Sequence, residues 1–393
     1  SAIEPLGTER IFVDRADGRY IAEPIVAPDD VPRFDNSSRD GYAVRWADID
    51  TGDADLEVVG ESAAGHTASR ELGPGEAIRI ATGGKVPDGA DTVVMQENCQ
   101  RSGDTVTIPE PPADGRGAWI RHAGSYLERG EAVTDPGARL GPAEIGLLAS
   151  FRDSRIEVFR RPRVAVVSTG DELVDIDSEP GEGQIVNSNA YLLESLLEEA
   201  GADPIVLPTA PDDADAIRSA FRSAIASADA VISSGGVSVG DYDEVGGIVD
   251  ELTGGMAFWK IRMKPGKPLA FGTAGDDDVP LIGLPGNPNS CFVGFHQFVV
   301  PVLRAAQGVD PDQLVERPRI DATIAARVGS TSRRRHYLAG RLAEGDEHPQ
   351  FIPAPNQASG NPALFCGQDA FGIVPEGTGT MEAGETIAVE RID

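Results

Sequence analysis

The clearest pattern in the chain begins at Arg163, where short unbroken apolar runs take turns with amphipathic stretches of helical spacing. RVAVVST (163–169), PIVLP (204–208) and AVISSGG (230–236) read as strands, and NAYLLESLLEEAGA (189–202) and DADAIRSAFRSAIASA (213–228) as helices. Strands without polar alternation must be buried on both faces, so the pattern predicts an α/β region built on a parallel sheet with helices on either side. LAFG (269–272) and PLIGLPG (280–286) carry it on into a helix over NSCFVGFHQFVVPVLRAAQG (289–308). Pro301 should kink that helix or mark its second half.

The texture differs on either side. From 29 to 125 the chain is rich in Gly, Pro and Asp, with β-type runs at AIRIAT (77–82), DTVVMQE (91–97) and TVTIP (105–109), which predicts a β-rich domain with long loops. Ile145, Leu147, Leu148 and Phe151 are spaced for one short helix in the segment that follows, and 1–28 is too short for a core of its own. We expect 1–28 and 126–162 to form a linking domain, followed by the α/β domain over 163–308. β-type stretches return at 320–328 and 386–392, giving a C-terminal β domain over 309–393. A length of 393 residues suits two to four such domains.

Composition changes this picture at two points. With 64 acidic against 34 basic residues the net charge is −30, a self-repulsion that molar salt would screen over about 3 Å. We therefore expect a salt-adapted protein that does not bind nucleic acid. No apolar run approaches the roughly 20 residues of a membrane span and no leader pattern opens the sequence, so the expected location is the cytoplasm. Cys99, Cys291 and Cys366 are far apart and form no metal-ligand spacing; a buried apolar role is the expectation for each. The second point is lysine: only Lys85, Lys260, Lys264 and Lys267 occur. Three of the four sit together in FWKIRMKPGKPLAFG (258–272), where ammonium groups are wanted for binding an anion rather than for solvation.

Other motifs fall where an open α/β sheet presents ligands, beyond the carboxyl ends of its strands. SSGGVSVGDYDEV (233–245) combines a Gly-Gly turn with serines and the carboxylates Asp241 and Asp243, a set suited to a polyanion bridged by a divalent cation. STGDELV (168–174) places Asp171 and Glu172 after another strand, as metal ligands or as caps. In GLPGNPNSC (283–291), Asn287 or Asn289 would cap the next helix with Pro288 in its first turn, at an end that also favours anions. Hydrolase, zincin and P-loop signatures are absent from the sequence.

Taken in order, DNSSRDGYAV (35–44), ATGGKVPDGADTVVMQE (81–97), STGDELV, SSGGVSVGDYD, KPGKP and GLPGNPNS resemble the molybdopterin molybdenumtransferase (MoeA) family and the gephyrin E domain. The likeness runs from about Phe12 to Val389. It implies a homodimer whose subunits hold a linking domain, a β domain, a doubly wound pterin-binding domain and a C-terminal β barrel, with the α/β domain of one copy facing the β domain of the other. It also implies Mg²⁺-dependent insertion of molybdate into adenylyl-molybdopterin with release of AMP, and transient contact with the adenylyltransferase and with molybdoenzyme-maturation proteins. Carried onto this sequence, it makes Asp40 and Thr82 contributors from the β domain. Asp171, Glu172, Asp212, Asp213 and Asp243 become the acids around metal and pterin, with Glu172 and Asp243 also catalytic. Lys264 and Lys267, with Ser234, Gly235, Gly236, Ser238, Arg334 and Ser359, would hold phosphate or molybdate, and Pro285, Gly286, Asn287 and Pro288 would shape the pocket.

Two departures bear on these implications. Where the family's Arg-x-x-Gly-Glu-Asp run falls, this chain reads RHAGSY (121–126), with Ser125 and Tyr126 in place of the acids. A C-terminal Gly-Ser-His is replaced by ASGN (358–361), which keeps Ser359. The alternatives are a pterin-binding scaffold without turnover, and a molybdopterin adenylyltransferase.

Overall fold

The structure is a computed structural model that describes residues 3–63, 65, 70–235, 244–314, 317–329, 333–345 and 347–392. It divides into two compact units. One comprises 23–135 and 143–154, the other 1–22, 136–142 and 155–393.

In the first unit, strands Thr92–Met95, Gly41–Val44, Glu76–Ile80, Ala54–Ser62, Thr105–Ile108 and Gln100–Ser102 lie side by side in that order. Tyr42, Val44, Leu56, Ala77, Val94, Val106 and Ile108 turn one face of this sheet into a core. The helix foreseen before residue 151 covers Pro142–Ser150, and Leu148 and Phe151 are buried as their spacing requires.

The second unit contains the α/β sheet. Its strands run Asp203–Val206, Arg163–Ser168, Ala230–Ser234 and Val279–Leu284, all parallel. Successive side chains of one strand leave on opposite faces. Val164 and Val166 accordingly pack with Leu193, Leu196, Leu197, Phe295 and Leu303, while Ala165 and Val167 pack with Ile217, Phe221, Ala224 and Val249. Two cores, one per face, are what the unbroken apolar runs demanded. Asn187 and Asp213 cap the helices Ser188–Glu199 and Ala214–Ser227, each side chain accepting from the backbone N–H three residues on.

The parallel part of the sheet ends at Val279–Leu284. Ala270–Ala274 and Phe258–Trp259 complete the sheet antiparallel. Only residues 275–278 separate Ala274 from Val279, which is room for a hairpin and not for the dozen or more residues of a parallel crossover. The long helix after Pro285 is also interrupted. Pro288–Gly294 is α-helical, Phe295–Val299 widens into a π turn, and Val300–Ala306 resumes with Pro301 in its first turn, where its missing N–H costs no bond.

Beyond residue 320, strands Arg335–Ala343, Gln350–Pro353, Ile320–Ile324, Thr386–Arg391 and Ala370–Val374 close on themselves as a five-stranded barrel. Phe351 fills its interior. Gly340 and Gly372 make that possible, since a Cβ on either would stand within 2.4–2.5 Å of the phenyl ring. Of the cysteines, Cys291 is buried and its thiol is pushed up to about 12 by burial. Cys366 is exposed, against expectation, in the irregular stretch before the strand that starts at Ala370.

Candidate active site

Strands Ala230–Ser234 and Val279–Leu284 end level, Ser234 paired with Leu284. At that edge Gly235 and Gly286 approach so closely that a Cβ on Gly286 would lie 3.4 Å from Gly235 Cα. The Asn287 side chain accepts from the Asn289 N–H at 3.3 Å and Pro288 opens the helix, so Asn287 is the cap.

Asn289 does something else. Its Nδ2 lies 2.8 Å from Ser359 O, 2.6 Å from Asn361 O and 3.3 Å from Ala358 O. The residue is 3% exposed. A second buried amide, Asn189 in the helix Ser188–Glu199, donates from its Nδ2 to Ser234 Oγ and to Gly286 O, each at 2.8 Å. Asn189 thus ties the strand end to the Pro-Gly-Asn-Pro turn, and Asn289 ties the helix after that turn to the 358–361 segment. Each has two N–H groups to share among its acceptors.

The cationic side comes from the KPGKP turn. Met263–Lys264 adds a short strand to the barrel sheet, with Lys264 paired to His336. Gly266 turns the chain back at φ +101, where a Cβ would sit 2.6 Å from Met263 Cε. A cavity of about 660 Å³ results, lined by Lys264, Lys267, Arg334 and His336, by Pro285, Gly286 and Asn287, and by residues 357–360 with Ser359 among them. No carboxylate lines it among the described residues. Burial, and then the charges of Lys264 and Arg334, push the His336 imidazole down to about 4, so it is neutral at neutral pH. Gln357 braces its segment by hydrogen bonds to both backbone groups of Ala339, at 2.8–3.0 Å. The basic cluster does not act as one: Lys260 lies over the Trp259 ring at 4.2 Å, and Arg262 pairs with Glu376 at 3.4 Å.

The acids are gathered elsewhere. Asp171 and Asp212, beyond neighbouring strand ends, each accept from the other's backbone N–H at 3.3–3.4 Å, and Glu172 adjoins them. Asp213 is committed to its helix cap, accepting from Ala216 N–H at 2.9 Å. None of these four lines the cavity. Their all-oxygen donor set suits a hard divalent cation, although among the described residues no three His, Cys, Asp or Glu side chains converge as a ready metal cluster. Gly236, Ser238, Asp241 and Asp243 lie outside the described residues. In the other unit Asp40 and Thr82 meet: Asp40 Oδ1 accepts from the Thr82 N–H at 2.7 Å and its hydroxyl at 2.8 Å. The backbone bond first, and then the hydroxyl, hold the exposed Asp40 carboxyl below the usual range.

Lys264, Lys267, Arg334, Ser359 and the 285–287 turn are therefore brought to one cavity. Ser234 is joined to it through Asn189, while Gly235 packs against Gly286 of the turn and Pro288 opens the helix beyond it. His336, Gln357 and the linking roles of Asn189 and Asn289 were not foreseen. The only sequence cue for His336 is its place after three arginines.

Three family models account for most of the chain: "MoeA N-terminal region (domain I and II)" over 1–151, "Probable molybdopterin binding domain" over 165–305, and "MoeA C-terminal region (domain IV)" over 321–392. A molybdopterin molybdenumtransferase of a Nostoc species is 38% identical, over 98% of this chain and 89% of its own. That of Haemophilus influenzae is 35% identical, over 98% and 94%. Among solved structures, a molybdopterin biosynthesis MoeA protein of Pyrococcus horikoshii superposes with a TM-score of 0.84 at 27% identity, over 100% of this chain and 96% of that one.

Proposed function

This chain belongs to the molybdopterin molybdenumtransferase (MoeA) family, and we propose that it inserts molybdate into the dithiolene of adenylyl-molybdopterin, with release of AMP, in the last step of molybdenum cofactor synthesis. The observation that carries this reading is the carboxylate-free cavity. In a chain of net charge −30, it gathers Lys264, Lys267 and Arg334 around space enough for an oxyanion and part of a pterin. Catalysis there is electrostatic: preorganised cations favour the charge that builds on oxygen as the phosphoanhydride opens and the oxyanion is consumed.

Asp171 and Asp212, with Glu172, are the residues that would hold Mg²⁺. A cation held there would supply charge neutralisation at the adenylyl phosphate. Asp40, kept ionised by Thr82, is read as a contributor from a second copy in a homodimer. No helix among the described residues is long and apolar enough to cross a membrane. We place the protein in the cytoplasm, and we take its acidic, lysine-poor composition as adaptation to high salt.

A scaffold without turnover is the second reading. It is favoured by Ser125 and the exposed Tyr126, which stand where the family pattern has acids. Incubation in molar KCl decides between them. Cofactor should form from adenylyl-molybdopterin plus molybdate. Binding without product supports the scaffold, and product from molybdopterin, ATP and molybdate alone supports an adenylyltransferase.

A further inference from the structure

The cavity contains one group that neither the cationic reading nor the family motifs use. We propose that His336 is a further ligand-contacting residue: it meets the empty site neutral and takes up a proton when a doubly charged tetrahedral oxyanion settles among Lys264, Lys267 and Arg334. This inference rests on the reading of the cavity as an oxyanion site.

The geometry comes first. His336 is paired across the strands with Lys264, so the two side chains leave the sheet on the same side, and both line the cavity, as does Arg334. The residue is 3% exposed, and its Nδ1 is buried without a hydrogen-bond partner among the described residues. Buried ring nitrogens are normally bonded, so a cavity-lining histidine with an unpartnered Nδ1 keeps hydrogen-bonding capacity that the packed protein does not use. The strand on its other side sets the apolar Val374 against it, so no carboxylate from that neighbour supports a charged imidazole.

The charges follow from this placement. In the empty site a proton on His336 would add a further cation, out of water, beside Lys264 and Arg334, and the ring stays neutral. A dianion reverses the charge environment while burial stays constant. The bound-state pKa therefore rises, and protons are taken up at any pH between the empty and filled values. Neutral imidazole can also donate one N–H to the ligand, a directed bond that the flexible ammonium groups do not supply.

Calorimetric titration of the full chain with sodium molybdate alone, in molar KCl and in buffers of differing ionisation enthalpy, counts the protons. At pH 6 the wild type should take up a substantial fraction of one proton per oxyanion, falling toward zero by pH 9, and His336→Gln should take up none. Perrhenate, the same shape with one charge, should drive less uptake. Binding with no uptake, or with equal uptake in wild type and His336→Gln, overturns the role of His336 and leaves the cavity reading standing. Failure of the wild type to bind molybdate overturns both. Should His336→Gln not fold, histidine-labelled wild type answers by NMR, where a His336 ring that stays neutral on molybdate binding overturns the proposal.

Discussion

Replacing Asn289 by leucine tests the central joint of the site. The substitution nearly preserves volume and removes both N–H groups from a position surrounded by three acceptors at 2.6–3.3 Å. An amide satisfies two of these at a time, so the loss is two buried hydrogen bonds. Each buried acceptor left unmade costs about 1–3 kcal/mol. Because Ala358 and Ser359 border the cavity, where water can reach them, we take the lower half of the sum, about 2–4 kcal/mol. Against a typical domain stability of about 5–15 kcal/mol this is a large fraction, readable as a lower urea midpoint by tryptophan fluorescence in molar KCl. Molybdate affinity should fall with it, since Ser359 loses its tether to the helix that begins after the 285–287 turn. Asn289→Asp sharpens the test. Its carboxylate has the amide's shape but no donor, and it faces acceptors only, so its folded-state pKa is raised above the unfolded value. Its stability should therefore be best in acid, where the carboxylic acid again donates, and should be lost as pH rises through the raised pKa. A leucine variant within about 0.5 kcal/mol of wild type, or an aspartate variant indifferent to pH, would refute the reasoning.

Four further outcomes follow. Lys267→Ala should leave the urea midpoint within about 0.5 kcal/mol while cofactor formation drops by roughly 10²-fold or more; near wild-type turnover would make the KPGKP turn a solvated loop. Lys267→Arg should rescue only in part, because a planar fork cannot take the place of a compact ammonium. Thr82→Val removes the hydroxyl bond to Asp40 and keeps the backbone one, so the carboxyl pKa should rise part of the way back in a ¹³C titration; the contact with Thr82 persists at neutral pH and is lost only as pH falls through the lowered value. Finally, lowering KCl from molar to about 0.1 M, where the Debye length reaches about 10 Å, should destabilise the chain; an unchanged melting temperature would end the salt-adaptation reading.

Much of the fold could be read in advance because it depends on local periodicity. A strand such as Arg163–Ser168, apolar on both faces, can lie only in a sheet covered on both sides, and the two cores over Val164 and Ala165 follow from that alone. Strand direction is another matter. LAFG and PLIGLPG look alike as apolar runs, and what turns the first antiparallel is the short connection between Ala274 and Val279. Even between the apolar runs themselves, which end at Gly272 and resume at Pro280, the connection is residues 273–279, too few for a parallel crossover. Pro301 likewise announced a break in the helix after Asn287. The break takes the form of a π turn just before the proline, because a residue without an N–H is easily placed where a new helical segment begins.

The site divides along the same line. Lys264 and Lys267 stood out because lysine content is a property of the sequence that needs no third dimension: in a chain that has almost abandoned the residue, retention is itself a signal. Asn287 and Asn289, two positions apart in one motif, carried no such distinction, and either suited the helix cap. What separates them is convergence. Asn287 serves a neighbour two residues away, whereas Asn289 serves the 358–361 segment, 69 to 72 positions distant. His336 belongs with Asn289. Its neutrality is set by burial first and then by Lys264, which lies far from it in sequence and opposite it in the sheet. Residues whose chemistry is their own type can be found in a sequence, and residues whose chemistry is imposed by partners from distant segments become visible only when the fold supplies those partners.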